Sequence, residues 1–130
     1  MSNPHELKRL HQVAVHVEDL AVSKYFYADV LGAKFIAEFN PPGLVFFDFQ
    51  GVRLLLEHGT QTGTLYFRVE DIDKSVEHFQ SKGVVFDELP HVIFKDETGL
   101  FGPKGFEELL AFFKDPAGNI LALAAQRAPG

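Results

Sequence analysis

His16, Glu57 and Arg68 are the residues of this chain best equipped for chemistry. An imidazole titrates near neutral pH and exchanges protons, and a neighbouring carboxylate can fix its orientation. A guanidinium clamps a carboxylate or phosphate through two parallel hydrogen bonds. Strand alternation places these three, with Arg53 and Tyr66, on inward faces, where Leu55, Ala122 and Ala124 supply apolar walls. His16 is thus a candidate general acid or base oriented by Glu57, and Arg68 a candidate anchor for an anionic ligand. Ion pairing of Arg53 and Arg68 with Glu57 and Glu70 is the competing account of the same residues. The other histidines are scattered. His11 should face away from Gln12 and His58 away from Glu57; His5 lies in the lead segment, and His78 sits beside the apolar face of a helix. No i, i+4 pair of the kind that grips a metal on a helix occurs. His91 opens a turn-rich stretch and is placed at the pocket mouth as a further ligand-binding candidate.

The elements that must hold these side chains are written twice. The segment from Gln12 to Leu20 recurs 52 residues later as Thr64 to Ile72. Phe46-Phe47-Asp48-Phe49-Gln50-Gly51 returns as Phe113-Lys114-Asp115-Pro116-Ala117-Gly118. In the first copy, Val13, Val15 and Val17 alternate with Gln12, Ala14 and His16, the period of a strand. Asp19 can cap a helix from Leu20 to Leu31, with Leu20, Phe26, Tyr27, Val30 and Leu31 inward and Gly32 as its stop. A strand from Lys34 to Phe39, a turn at Asn40-Pro41-Pro42-Gly43, and a hairpin of Leu44–Phe47 and Val52–Glu57 follow. The second copy repeats the plan. Leu65 to Val69 is a strand, Asp71 a cap, and Ile72 to Lys82 a helix with Val76 and Phe79 inward, ended by Gly83. A strand begins at Val84 to Phe86, and the last hairpin joins Leu109–Phe113 to Ile120–Ala124 through Asp115 to Asn119. The second copy carries 16 extra residues, so His91 to Gly105 is expected to be a loop or flap beside the cavity.

One four-stranded sheet with one helix leaves a face unburied, and two such units can close that face around a common cavity. The expected fold class is therefore α+β. Two pseudo-symmetric βαβββ modules, about 10–58 and 63–126, would form a single domain over 1–130 with their sheets facing one shared pocket.

Composition narrows the function classes. The chain has 130 residues, 46% of them hydrophobic, with 14 Phe, which is enough apolar material for a core. Without Cys, thiolate zinc sites, disulfides and thiol nucleophiles are excluded. A net charge of −6 and the lack of a Lys/Arg stripe argue against nucleic-acid binding. No apolar run is long enough for a signal peptide or a membrane span, so a cytoplasmic location without membrane contact is expected.

The pattern Gln12-x-Ala14-x-His16-Val17-x-Asp19-Leu20, then Phe26-Tyr27-x-x-Val30-Leu31-Gly32, and Phe113-Lys114-Asp115-Pro116-Ala117-Gly118-Asn119 resembles the vicinal-oxygen-chelate superfamily. Glyoxalase I, methylmalonyl-CoA epimerase, extradiol dioxygenases, fosfomycin-resistance enzymes and bleomycin-binding proteins are its members. The resemblance runs from about Leu10 to Ala125 and implies fold more strongly than function. In metal-dependent members, a His or Gln seven residues before the helix-opening Asp, and a Glu on each module's last strand, hold a divalent ion. Those positions here are Gln12, Thr64, Leu55 and Ala122, of which only Gln12 is a plausible ligand. The resemblance therefore implies a small-molecule-binding protein without the usual metal or another cofactor, and Gln12, Leu55, Thr64 and Ala122 then belong to the ligand pocket. By likeness to the bleomycin-binding members, a homodimer is expected. The alternative is an isomerase or lyase of the glyoxalase or epimerase type. It would use a displaced divalent metal, for example at His16, Glu57 and His91, or acid–base chemistry by His16 and Glu57.

Overall fold

Alternation in the first copy becomes strand β1, Leu10–His16, and the expected parity holds. Val15 and Val17 pack toward the first helix, in a cluster with Leu20, Val45, Phe47 and Leu56. The computed structural model describes residues 3–30, 32–59, 63–114 and 118–130. It divides into two compact units, His11–Leu65 and Met1–Leu10 with Tyr66–Gly130.

In the first unit, Asp19 caps helix α1, Leu20–Tyr25, its carboxylate accepting from the Val22 amide at 3.1 Å. The helix then widens into a π-helical turn over Phe26–Val30 instead of continuing as α-helix. That widening shifts the register by one residue, so Tyr27 and Ala28 pack on the core while Phe26 and Val30 are exposed. The expected inward placing of Phe26 and Val30 is thereby corrected; Leu31 lies outside the described residues. Gly32 takes φ +73°, the left-handed conformation expected of a helix stop.

Strands β2 (Lys34–Phe39), β3 (Leu44–Phe49) and β4 (Val52–Glu57) complete the unit, in the order β2-β3-β4-β1. β4 runs parallel to β1 and antiparallel to β3. The hairpin is tighter than the four-residue turn expected. Only Gln50 and Gly51 turn the chain, at φ 53° and 98°, and Asp48 braces them by accepting from the Gly51 amide at 3.0 Å.

The second unit follows the same plan. β5 (Thr64–Arg68), which starts at the end of the first unit, leads to α2 (Ile72–Ser81), capped by Asp71 through the Lys74 amide at 3.2 Å. Ile72 and Val76 of α2 form its core with Leu109, Ala111, Leu123 and Ala125, and Phe79 packs against it as expected. β6 (Phe86–Asp96), β7 (Phe106–Lys114) and β8 (Ile120–Arg127) follow, and the order is β5-β8-β7-β6. Each unit is thus a βαβββ arrangement, and the chain is α+β. No helix among the described residues is long and apolar enough to cross a membrane.

The expected loop from His91 to Gly105 is corrected. His91 to Asp96 belong to β6 and pair with β7, leaving only 97–105 as connection. Asp96 makes the hairpin possible. It is 1% exposed, and its two carboxylate oxygens accept from the amides of Leu100 and Phe101, each at 2.8 Å. β6 is an edge strand with three register irregularities, and Pro90 lies within it. Of the turn expected at Asp115 to Asn119, Asp115, Pro116 and Ala117 lie outside the described residues.

Candidate functional site

The face of the first unit turned away from α1 is built in rows. β1, β4 and β3 align Gln12 with Arg53 and Asp48, Ala14 with Leu55 and Phe46, and His16 with Glu57 and Leu44. Residues paired across strands share a face, so this register brings His16 and Glu57 side by side. Gln12 and Leu55 are buried, each 5% exposed, while Arg53 and Glu57 are half-buried.

Gly59 joins the two candidate acid–base groups. Its carbonyl accepts from His16 Nδ1 at 2.5 Å, and a Cβ added to it would meet Glu57 Oε1 at 2.6 Å. The Glu57 carboxylate therefore lies directly over the Gly59 backbone that holds the imidazole. The other ring nitrogen, His16 Nε2, is 3.6 Å from Glu18 Oε1. With Nδ1 donating to Gly59, the neutral ring presents Nε2 as its basic nitrogen. The expected orienting partner, Glu57, is a neighbour here, and the orienting bond comes from the Gly59 carbonyl. Burial pushes the Glu57 pKa above its ordinary value, so its carboxyl keeps a proton to higher pH than an exposed glutamate does. This cluster pairs an imidazole with a weakened acid, the combination that proton transfer to and from a bound small molecule requires.

In the second unit, Tyr66, Arg68, Leu110, Phe112, Ala122 and Ala124 lie on the strand face opposite α2. Tyr66 is buried with its ring 6.3 Å from that of Phe112 in an edge-on contact, and Phe112 pairs with fully buried Ala122. Arg68 Nη2 donates to Gln126 Oε1 at 3.3 Å, and Gln126 Nε2 donates to the Phe101 carbonyl at 3.1 Å, linking Arg68 to the 97–105 connection. His91 stands on β6 opposite Leu110, exposed, with Nδ1 donating to the Leu89 carbonyl at 2.8 Å. Its expected position at the head of a loop is corrected to a strand position.

Gly59, Glu18 and Gln126 are the contributors that sequence reasoning missed. Gly59 acts through its carbonyl, which no residue type announces. Glu18 was legible in principle, two residues beyond His16 at the end of β1. Gln126 shares alternation parity with Ala122 and Ala124, and extending β8 by two residues would have placed it on their face.

The positions that would hold a family metal can be tested by their chemistry. Thr64 is buried at 8% exposure and offers a hydroxyl, Gln12 an amide oxygen, and Leu55 and Ala122 no donor at all. Divalent ions need three or more good oxygen, nitrogen or sulfur ligands, so this set does not fit one. Among the described residues, no three His, Asp or Glu side chains gather as such an ion requires.

A repeated βαβββ plan, with an Asp cap on each helix and a polar row on the helix-free face of the first unit, defines an α+β protein built by module duplication. The sequence matches the Glyoxalase/Bleomycin resistance protein/Dioxygenase superfamily over residues 9–123, and the chain belongs to that superfamily. A search of curated proteins gives no match. Among solved structures, a superfamily member from Vibrio splendidus 12B01 is 17% identical with a TM-score of 0.62, the match covering 91% of this chain and 99% of that one. Methylmalonyl-CoA epimerase from Mycobacterium tuberculosis is 21% identical with a TM-score of 0.61, covering 92% and 88%. The Mn(II)-bound glyoxalase from Novosphingobium aromaticivorans is 18% identical with a TM-score of 0.64, and the match covers 93% of this chain but 40% of that one. At these identities the likeness is one of fold.

Proposed function

We propose that this chain is a small-molecule-binding member of the superfamily that works without the metal of its metal-dependent relatives. The observation that carries this reading is the donor set: Leu55 and Ala122 are buried at two of the four metal positions and have nothing to give an ion. What the strand faces offer instead is a mixture suited to an organic ligand. On the first unit Gln12, Arg53 and Glu57 supply hydrogen bonds and charge on the face that carries apolar Leu55; on the second, Arg68 does so on the face that carries Tyr66 and Ala122. The assay is thermal unfolding of chelator-treated protein against a panel of small organic acids, aromatics and amines. A ligand at 100 times its Kd should stabilise the protein by about 2.7 kcal/mol whether or not metal is present. Stabilisation that appears only when nickel, zinc, iron or manganese is restored defeats the reading. The proposed assembly is a homodimer, checked by sedimentation.

A second reading, catalysis of proton transfer in an isomerase or lyase reaction, is favoured by the His16–Gly59–Glu57 cluster. His16 Nε2 would take a proton from the substrate and Glu57, whose pKa burial raises, would give one. His16→Ala and Glu57→Gln should then each abolish turnover while ligand binding persists. Turnover that survives both substitutions refutes this role.

A further inference from the structure

The first unit leaves one helix face bare. Along α1 and the π-turn that extends it, Val22, Tyr25, Phe26 and Val30 are 63%, 61%, 47% and 57% exposed, and Ala21 is exposed beside them. They recur at helical spacing, away from Leu20, Tyr27 and Ala28, which pack into the core. The π-turn builds part of this stripe, because its extra residue turns Phe26 and Val30 outward. Lys24 does not interrupt it. Its ammonium is drawn toward β2, where it donates to Glu38 Oε1 at 2.7 Å and lies 4.7 Å from the centre of the Phe35 ring. Asp29 is the one exposed charged side chain between Leu20 and Val30.

The duplicated module supplies its own comparison. Ala21, Val22, Tyr25 and Phe26 stand 52 residues before Asp73, Lys74, Glu77 and His78 of α2. Asp73, Lys74 and Glu77 are exposed to water, as the outer face of a surface helix ordinarily is. One plan thus carries a charged outer helix face in the second unit and an apolar one in the first. A helix that is apolar on both faces belongs against something on both faces.

We propose that this stripe is where a second copy of the chain docks, α1 against α1 across a twofold axis. The assignment rests on the homodimer proposed above and names its face. Area favours a second copy. A half-exposed aromatic side chain presents about 100 Å². With the two valines the stripe offers roughly 400 Å², the scale of the largest apolar patch on a typical monomer. A twofold contact covers it on both copies at once, and with a polar rim it reaches the roughly 1,000 Å² that a specific interface needs. A lipid surface fits poorly, because helices that lie on membranes carry cations along their polar side. Here the cation of α1 is held by Glu38, and the chain has a net charge of −6. That charge also gives the contact a signature. Two such copies repel each other, so salt that screens the repulsion strengthens an apolar contact, whereas it weakens one made of ion pairs.

The test is sedimentation of the full chain from about 1 to 300 µM, a range that spans weak to moderate self-association, at about 50 and 500 mM sodium chloride. A monomer–dimer equilibrium that tightens with salt is expected. ¹⁵N spectra across the same concentrations should move the amides of Ala21 to Val30 and leave those of α2 in place. Val22→Lys combined with Tyr25→Glu, which gives α1 the residues α2 carries at those positions, should weaken the dimer at least about thirtyfold. Val30→Ser should weaken it less. Both changes fall on exposed side chains, so the melting temperature of dilute protein should stay as it was. A dimer that neither variant weakens, or that salt dissociates, overturns this face and leaves the homodimer standing. A parent chain that stays monomeric throughout overturns both, and the ligand assay is untouched because none of these residues lies on the ligand-binding strand faces. A monomer that co-sediments with phosphatidylglycerol vesicles assigns the stripe to a lipid surface and overturns the proposal too.

Discussion

Replacing Asp96 by alanine should cost this protein a large part of its stability. Both oxygens of Asp96 accept backbone amides at 2.8 Å, and the side chain is buried. The alanine variant leaves the Leu100 and Phe101 amides without those acceptors in the turn that joins β6 to β7. Hydrogen bonds to a carboxylate contribute about 1.5–3 kcal/mol each, and relief of the buried group's desolvation offsets part of the loss. The net expectation is about 2–4 kcal/mol, or a fall of roughly 8–16 °C in melting temperature for a domain of this size. Asp96→Asn keeps one acceptor and should cost about half as much. Denaturant unfolding followed by circular dichroism gives the free energy. Hydrogen exchange should show Leu100 and Phe101 losing protection before the core of α2 does. A fall below about 2 °C for Asp96→Ala, with both amides still protected, would refute the argument that Asp96 organises this turn.

Glu57→Gln tests the buried acid. A folded-state pKa raised by burial means that the folded protein holds more protons than the unfolded chain as pH climbs above the ordinary glutamate value of 4.5, so stability falls through that window. The glutamine variant should therefore melt higher than the parent at neutral pH and alike below pH 4.5, as read from melting temperatures across pH. Gly59→Ala should cost less than about 1 kcal/mol, because the atom in its way is the mobile end of Glu57. It should also push that carboxylate into solvent and return its pKa toward the ordinary value, measured by carbon NMR of the carboxyl. Gln50→Asn, at the φ 53° position of the β3–β4 turn, should raise stability by about 0.5–1 kcal/mol in chemical denaturation, since Asn tolerates that conformation better.

Much of the fold was legible because strand alternation and helix caps are local signals. Val13, Val15 and Val17 against Gln12, Ala14 and His16 gave the faces of β1, and Asp19 and Asp71 gave both helix starts. The signal failed where the backbone departs from a regular period. Nothing in Phe26 to Val30 distinguishes a π-turn from an α-helix, yet the extra residue in the turn decides which aromatics are buried. Along β6 the irregularities between Phe86 and Phe94 break the alternation, so a strand read as a loop. The residue types of the candidate site were readable, and so was the shared inward parity of His16 and Glu57. The bond that orients His16 was not, because it is made by a main-chain carbonyl brought close by the path beyond β4.

The irregular outer strand of the second unit also bears on how this protein behaves when concentrated. β6 ends its sheet and exposes Leu89 and Ile93 at 59% and 50%, a surface that in a straight strand would recruit another chain and seed fibres. Pro90 removes one amide from that ladder, the register slips bend it, and the His91 ring occupies the Leu89 carbonyl. This edge is thus blunted by backbone shape, which salt does not screen. Replacing Pro90 with valine would regularise the edge and invite aggregation at high ionic strength and low alike.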